Sequence, residues 1–117
     1  AYLCGRLLAE LEEAQRRAIE DVGASIIDRY YGTASSAPAT VFGTLLANAQ
    51  SHLAKLERDN RGAYGGIQAA IEDILASLDS FPTTLTLIDQ SLFALGYYHQ
   101  RAHNRAQAIA HKQEAQA

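Results

Sequence analysis

The segment LFALGYYHQR, residues Leu92–Arg101, is the most informative stretch of this sequence. Its first half has the apolar spacing of a packed helix. Its second half has two adjacent tyrosines, a histidine, an amide and an arginine, a combination that neither helix formation nor core packing requires. We therefore expect one helix here that passes from a buried seam to a surface available to a partner.

Outward from this segment, apolar residues recur at helical spacing along nearly the whole chain, and the alternation typical of strands is absent. The sequence predicts an all-α fold, an antiparallel helical bundle of four long helices plus one short helix. All 117 residues form one predicted domain. The predicted helices cover about 2–22, 25–31, 38–58, 65–79 and 87–112, and a frayed tail covers 113–117.

Residues with known preferences at helix ends set these boundaries. Gly23 and Gly32 are expected to end the first and second helices, and 33–37 is expected to be a loop of small residues. Pro38 fits the first turn of the third helix, where its missing N–H costs nothing. The Thr86 hydroxyl is expected to cap the last helix.

The last helix carries a stripe at helical spacing that is predicted to face the bundle. Burial of such stripes, at ~25 cal/mol per Å² of apolar area, is the main driving force for folding. Tyr98 and Arg101 are predicted to leave this stripe. The stripe consists of Ile88, Leu92, Leu95, His99, Ala102, Ala106 and Ile109.

The charge of the chain is unevenly distributed. Ten Lys and Arg against 13 Asp and Glu give a net charge of −3, which argues against tight binding of free nucleic acid by counterion release. Residues 1–28 contain six acidic residues and three arginines, whereas 90–113 contain three cations and no acid. A basic face is therefore predicted at the C-terminal end of the chain.

The cellular location is inferred from three absences in the sequence. There is no apolar run of about 18 residues, and the first residues lack a signal-peptide pattern. Cys4 is the single cysteine, so no internal disulfide can form. We expect a cytoplasmic protein without membrane contact, in which Cys4 fills a small apolar space.

Two groups of cations are candidate nucleic-acid contacts, because cations on rigid helices suit the phosphates of a backbone and tyrosines can stack on unpaired bases. The first lies on the last helix beside Tyr98, and the second lies on the third helix and the turn after it. Alternatively, these are ordinary solvated faces, and Tyr97 and Tyr98 are partly core. The candidates are Arg101, Arg105 and Lys112 in the first group, and Lys55, Arg58 and Arg61 in the second.

Catalytic and metal-binding patterns are weak. His99 and His103 have the spacing of two metal ligands on a helix, but Gln100 stands where a zinc protease would have glutamate. No serine, cysteine or glycine-rich loop has the surroundings that nucleophilic or phosphate-binding chemistry requires. We expect no catalytic residue, no metal site and no cofactor.

Several segments in order resemble a known family, the large subunit of type I-C CRISPR Cascade complexes, in its C-terminal part. The resemblance covers about residues 2–101, and Leu92–Arg101 is its most specific segment. The other matching segments are Ile27–Gly32, Ala37–Phe42, His52–Leu56 and Phe81–Pro82.

The resemblance implies a biological setting. In that family this region is also made separately from an internal start site as a helical small subunit, and a free chain of this length resembles that product. The resemblance implies partners of four kinds: the large subunit, backbone subunits, further copies of the chain, and crRNA-guided target DNA including its displaced strand. Guide pairing would then read the sequence, and the protein would contact only the backbone.

Two hypotheses are consistent with these features. In the first, the chain stabilises the opened target duplex through the six candidate cations. In the second, it is an assembly module without nucleic-acid contact, in which Tyr97, Tyr98 and His99 anchor a neighbouring subunit.

Overall fold

A computed structural model describes residues 1–19 and 26–116, with side chains described for 1–19 and 27–110. Its elements are α1 (Tyr2–Ala18), α2 (Ile26–Ser36), α3 (Pro38–Asp59), α4 (Arg61–Ser77) and α5 (Leu87–Gln116). All elements within these ranges are helices, which confirms the predicted all-α class, with α2 as the short helix. The predicted cap at Gly23 lies outside the described residues.

The second helix is longer than predicted, because it continues through Gly32 to Ser36. Ala34 within this extension is completely buried, so packing favours continuing the helix. The hydroxyls of Ser35 and Ser36 both donate to the Gly32 carbonyl, at 3.0 Å and 2.8 Å, and thereby satisfy their own hydrogen-bonding groups inside the helix. The predicted loop 33–37 is therefore reduced to Ala37.

Capping residues set the starts of the later helices. Pro38 occupies the first turn of α3, and the Thr86 hydroxyl accepts from the Asp89 N–H at 3.1 Å, as predicted. Asn60 alone separates α3 from α4, and its side chain accepts from the Ala63 N–H at 3.2 Å. α4 therefore begins four residues earlier than predicted, and α5 runs to Gln116 rather than ending near Lys112.

The centre of the bundle is α1, which packs against each of the other four helices. Nearly every face of α1 is therefore buried, including the side chains of Glu10 and Glu13. The largest fully buried side chains come from α1 and from the helices packed on it, and they include Leu7, Leu8, Leu11, Phe42, Leu45, Leu56, Ile74, Phe93 and Tyr97.

Helices α1 and α5 form the most extensive contact in the bundle. Hydrogen bonds across this contact join Tyr2 to His99 and Gln100 to Glu10. Both helices also line one cleft, with Arg17 on the α1 side and Gln107 on the α5 side. This contact joins the N-terminal and C-terminal helices of the bundle.

The predicted orientation of α5 was wrong. Its buried residues are Phe93, Gly96, Tyr97 and Gln100, whereas the stripe predicted to face the bundle lies in solvent. Ile88 is 77% exposed and Leu95 is 50% exposed. The orientation has a steric cause, since a Cβ on Gly96 would collide with the Tyr2 carbonyl oxygen of α1.

Candidate functional site

The exposed side of α5 brings three predicted site residues together. Tyr98, Arg101 and Arg105 are all exposed and line one shallow hollow of about 430 Å³, with Ala102, Ala106 and Ile109 as its other residues. The small alanines form the low part of this surface, and the tyrosine and arginines stand around it. The prediction that these cations share one helical face is confirmed for Arg101 and Arg105.

The two arginines keep their hydrogen-bonding groups available. Within the described residues, neither Arg101 nor Arg105 forms a salt bridge. Burial raises the pKa of Glu12 above its ordinary value. The hydrogen bond from Tyr97 and the positive charge of Arg101 oppose this rise without cancelling it. Arg105 is exposed one helical turn beyond Arg101. The guanidinium donors of both residues can therefore reach a phosphate.

The side chain of Lys112 lies outside those that the structure describes. Its backbone belongs to α5, seven residues beyond Arg105, so its position on the same side of the helix stays a prediction.

The second basic group is more dilute. Arg58 and Arg61 line one shallow hollow near the junction of α3 and α4, and Glu57 lines the same hollow. Lys55 is exposed on α3 but does not line this hollow. The acid among these cations makes the group a weaker site for an anion than the exposed face of α5.

Tyr97 belongs to the core and is only 1% exposed. Its hydroxyl donates to both carboxylate oxygens of Glu12, at 2.9 Å and 3.1 Å, and its ring packs edge-on against Tyr31. Burial and the neighbouring Glu12 raise the pKa of Tyr97 far above its usual range. Its side chain is therefore unavailable as the interface anchor that the sequence suggested.

Tyr98 and His99 are exposed, unlike their neighbour Tyr97. Tyr98 is 56% exposed, so its ring is available to a base or to another protein. His99 lies at the surface with its Nδ1 3.0 Å from the Tyr2 hydroxyl. These two residues remain candidates for contact with a partner.

A buried polar cluster between α1 and α5 was not predicted. Gln100 donates to Glu10 at 2.8 Å and to Asn104 at 3.0 Å, and its carbonyl accepts from Arg6 at 2.9 Å. Burial raises the pKa of Glu10 to about 7, although hydrogen bonds from Asn104 and Gln100 oppose the shift. The available signal in the sequence was the spacing of Phe93, Gln100 and Asn104, which places amides on the face that meets α1.

This cluster opens into a cleft of about 470 Å³ between α1, α4 and α5. Amides, His103 and the buried Glu10 carboxylate line it, and Gly62 and Gly66 leave its α4 wall low. Such a lining can hydrogen-bond a polar group, and its carboxylate can accept from a donor.

The histidines and acids of the described ranges do not form a metal centre. Over those residues, no three His, Cys, Asp or Glu side chains are grouped closely enough to hold a metal ion. His103 lies near the Gln107 amide, at 3.4 Å. None of the helices in the described part of the chain combines the length and apolar character needed to cross a membrane.

The described part of the chain is thus all-helical, and the exposed residues Tyr98, Arg101 and Arg105 lie together on α5, its longest helix. Residues 1–104 match the family described as "CRISPR-associated protein (Cas_Csd1)", and the chain belongs to this family. The match ends within α5, after Arg101 and before Arg105. A comparison with curated proteins found no match.

Proposed function

We propose that the chain is a non-catalytic subunit of a crRNA-guided Cascade complex of type I-C, and that it corresponds to the small subunit. Membership in a CRISPR-associated family supports a place in such a complex. The resemblance of Leu92–Arg101 and its neighbouring segments to the type I-C large subunit supports the narrower assignment. Its partners would be the large subunit, the backbone subunits and target DNA.

Its role in the complex is to hold the DNA backbone after the target duplex has opened. The observation that carries this role is the exposed pair Arg101 and Arg105 beside Tyr98, free of salt bridges within the described residues. Guanidinium groups bind phosphates without reading sequence, and a tyrosine ring can stack on a base of the displaced strand. A complex supplies a high effective concentration, so the net charge of −3 does not prevent this contact.

Target binding by the assembled complex tests this role. Arg101→Glu should weaken binding of a matched DNA target by about tenfold or more, since it replaces a phosphate contact by a repulsion. Arg29→Glu on α2 is the matched control, because Arg29 is also an exposed arginine but lies on a different helix. Equal binding by the Arg101 and Arg29 variants, in complexes of normal composition, would contradict the proposal.

The alternative function is assembly without DNA contact, and the exposure of Tyr98 beside apolar residues of α5 favours it. Here Tyr98→Ala should remove the chain from the purified complex. Retention of the variant at normal stoichiometry would count against this alternative and leave the DNA-binding role standing.

A further inference from the structure

The solvent-facing side of α5 has a regular pattern, which we call the outer seam. Its residues recur at alternating intervals of four and three, the spacing of the core positions in a coiled coil. Over the described residues, packing within the bundle leaves this seam uncovered. The outer seam consists of Ile88, Leu92, Leu95, His99, Ala102, Ala106 and Ile109.

The outer seam is a second packing face, distinct from the one that meets α1. The buried face of α5 contains Phe93, Tyr97 and Gln100, which lie on the opposite side of the helix. Packing in the core explains the apolar residues on the buried face of α5. It does not explain the regular apolar residues of the outer seam, because the seam lies on the opposite side of the helix. A heptad spacing over about 30 Å of exposed helix is the pattern that another helix packs against.

From this pattern we propose that the outer seam binds the outer seam of a second copy of the chain, with the two α5 helices antiparallel. This proposal does not depend on DNA binding. It also differs from a stack of copies, which needs two different surfaces on each chain, whereas a two-fold pair needs one self-complementary surface.

The distribution of side-chain sizes favours the second copy as occupant. The N-terminal half of the seam has large residues and the C-terminal half has the small Ala102 and Ala106. In an antiparallel pair, Ile88 can lie opposite Ala106 of the second copy, and Leu92 opposite its Ala102. Large residues then meet small ones in each of these layers, as close packing of two helices requires. A parallel pair would instead set Leu92 against Leu92 and alanine against alanine.

Charge supports the same register. The antiparallel register brings the Asp89 carboxylate of one copy beside His103 of the other, at the flank of the seam. The same antiparallel register places each Arg105 beside Ser91 of the second copy and away from the other Arg105. A parallel pair would set the two Asp89 side chains on opposite flanks of the seam and would lose the contact between Asp89 and His103.

The pair would also assemble a larger basic surface. In the antiparallel arrangement the Tyr98 and Arg105 side chains of both copies flank the seam on one side, and Arg101 is next to them on each helix. The alanines of the hollow would be covered, while the arginines around it would stay accessible. Two copies would thus present four arginines to a nucleic-acid backbone.

The mass of the purified 117-residue chain, measured without nucleic acid, tests the pairing. The contact strip is about 30 Å long and about 10 Å wide, which is small for a specific interface, so the pair should be weak, with a dissociation constant in the micromolar range. As the concentration rises to about 100 µM, the mass measured in solution should therefore approach twice the 12.7 kDa of one chain. Leu92→Glu should raise the dissociation constant at least tenfold, whereas Thr44→Glu, at an exposed position of α3, should not. A chain that stays monomeric, or a dimer indifferent to Leu92→Glu, would overturn the proposal.

Cysteine cross-linking tests the direction of the two helices independently. Leu92→Cys and Ala102→Cys chains of different size should form a disulfide when they are mixed and oxidised, and neither should cross-link with itself. The natural Cys4 is buried and does not compete. Cross-linking of the Leu92→Cys chain alone would show parallel helices and overturn the antiparallel pair. Failure of DNA binding in the complex would leave both of these results unchanged.

Discussion

Gly5 of α1 and Gly96 of α5 each face the backbone of the opposite helix, so the two helices touch without intervening side chains. A Cβ on Gly5 would collide with the Phe93 carbonyl oxygen, and one on Gly96 with the Tyr2 carbonyl oxygen. Backbone atoms cannot move aside as a flexible side chain can. These two glycines therefore fix both the separation of the helices and the face of α5 that is buried.

Gly96→Ala should lower the free energy of unfolding by about 3 kcal/mol or more, because the added methyl forces the two helices apart. Urea unfolding followed by circular dichroism measures the change. Gly43→Ala on α3 is the control, since a Cβ added at Gly43 would have no neighbouring atom within 4 Å. Alanine there should stabilise the helix by about 1 kcal/mol. Equal effects of the two substitutions would contradict the close contact.

The stability of the chain should depend on pH through Glu10, whose side chain is 2% exposed. Its pKa in the folded state, about 7, lies above the ordinary value of 4.5, so the folded state binds the proton more tightly. The contribution of this group is then most favourable below pH 4.5, falls as the pH rises toward 7, and is constant above it. The loss across that interval is roughly 3 kcal/mol.

Glu10→Gln should remove this dependence and make the variant more stable than the natural chain at pH 8. Unfolding free energies at pH 5 and pH 8 measure it, with Glu57→Gln, an exposed position, as the control. If the natural chain and Glu10→Gln lost the same stability between these two values, Glu10 would not be the group responsible.

Tyr97→Phe should lower the free energy of unfolding by about 1–2 kcal/mol, because it leaves the partly buried Glu12 carboxylate without its donor. Tyr98→Phe removes the same atom from an exposed ring and should change stability by less than about 0.5 kcal/mol. Thermal and urea unfolding of the pair measure the difference. A Tyr98 variant as unstable as the Tyr97 variant would contradict the assignment of the two tyrosines to core and surface.

Asn60→Ala should cost about 1 kcal/mol, because the Asn60 side chain caps α4 at the single residue between two helices. Asn48→Ala, at an exposed position inside α3, is the matched control and should be neutral or slightly stabilising. Loss of protection from amide exchange at Ala63, the residue whose N–H the cap accepts, should accompany the Asn60 substitution alone.

Periodicity and capping residues predicted the class, the five helices and the starts at Pro38 and Thr86. They could not predict which face of α5 is buried, because α5 has two faces with helical spacing. A pattern shows that a face can pack, but not whether its partner belongs to the same chain. The choice depends on Gly5, Gly96 and the Glu10–Gln100 contact, which join residues about 90 positions apart.

Only part of the candidate site could be predicted from the sequence, because local spacing does not show which face of α5 meets α1. Arg101 and Arg105 are four residues apart on one helix, so their common face is a consequence of helical geometry alone. The burial of Tyr97 beside the exposed Tyr98 depends on the direction in which α5 faces α1, and local spacing does not contain that direction.

The salt dependence of target binding is the most direct test of the proposed contact between α5 and DNA. Each phosphate contact adds about one to the slope of log K against log salt concentration. The complex assembled with Arg101→Ala and Arg105→Ala together should therefore bind a matched target with a slope smaller by about two than the natural complex. An unchanged slope, in a complex of unchanged composition, would contradict the contact.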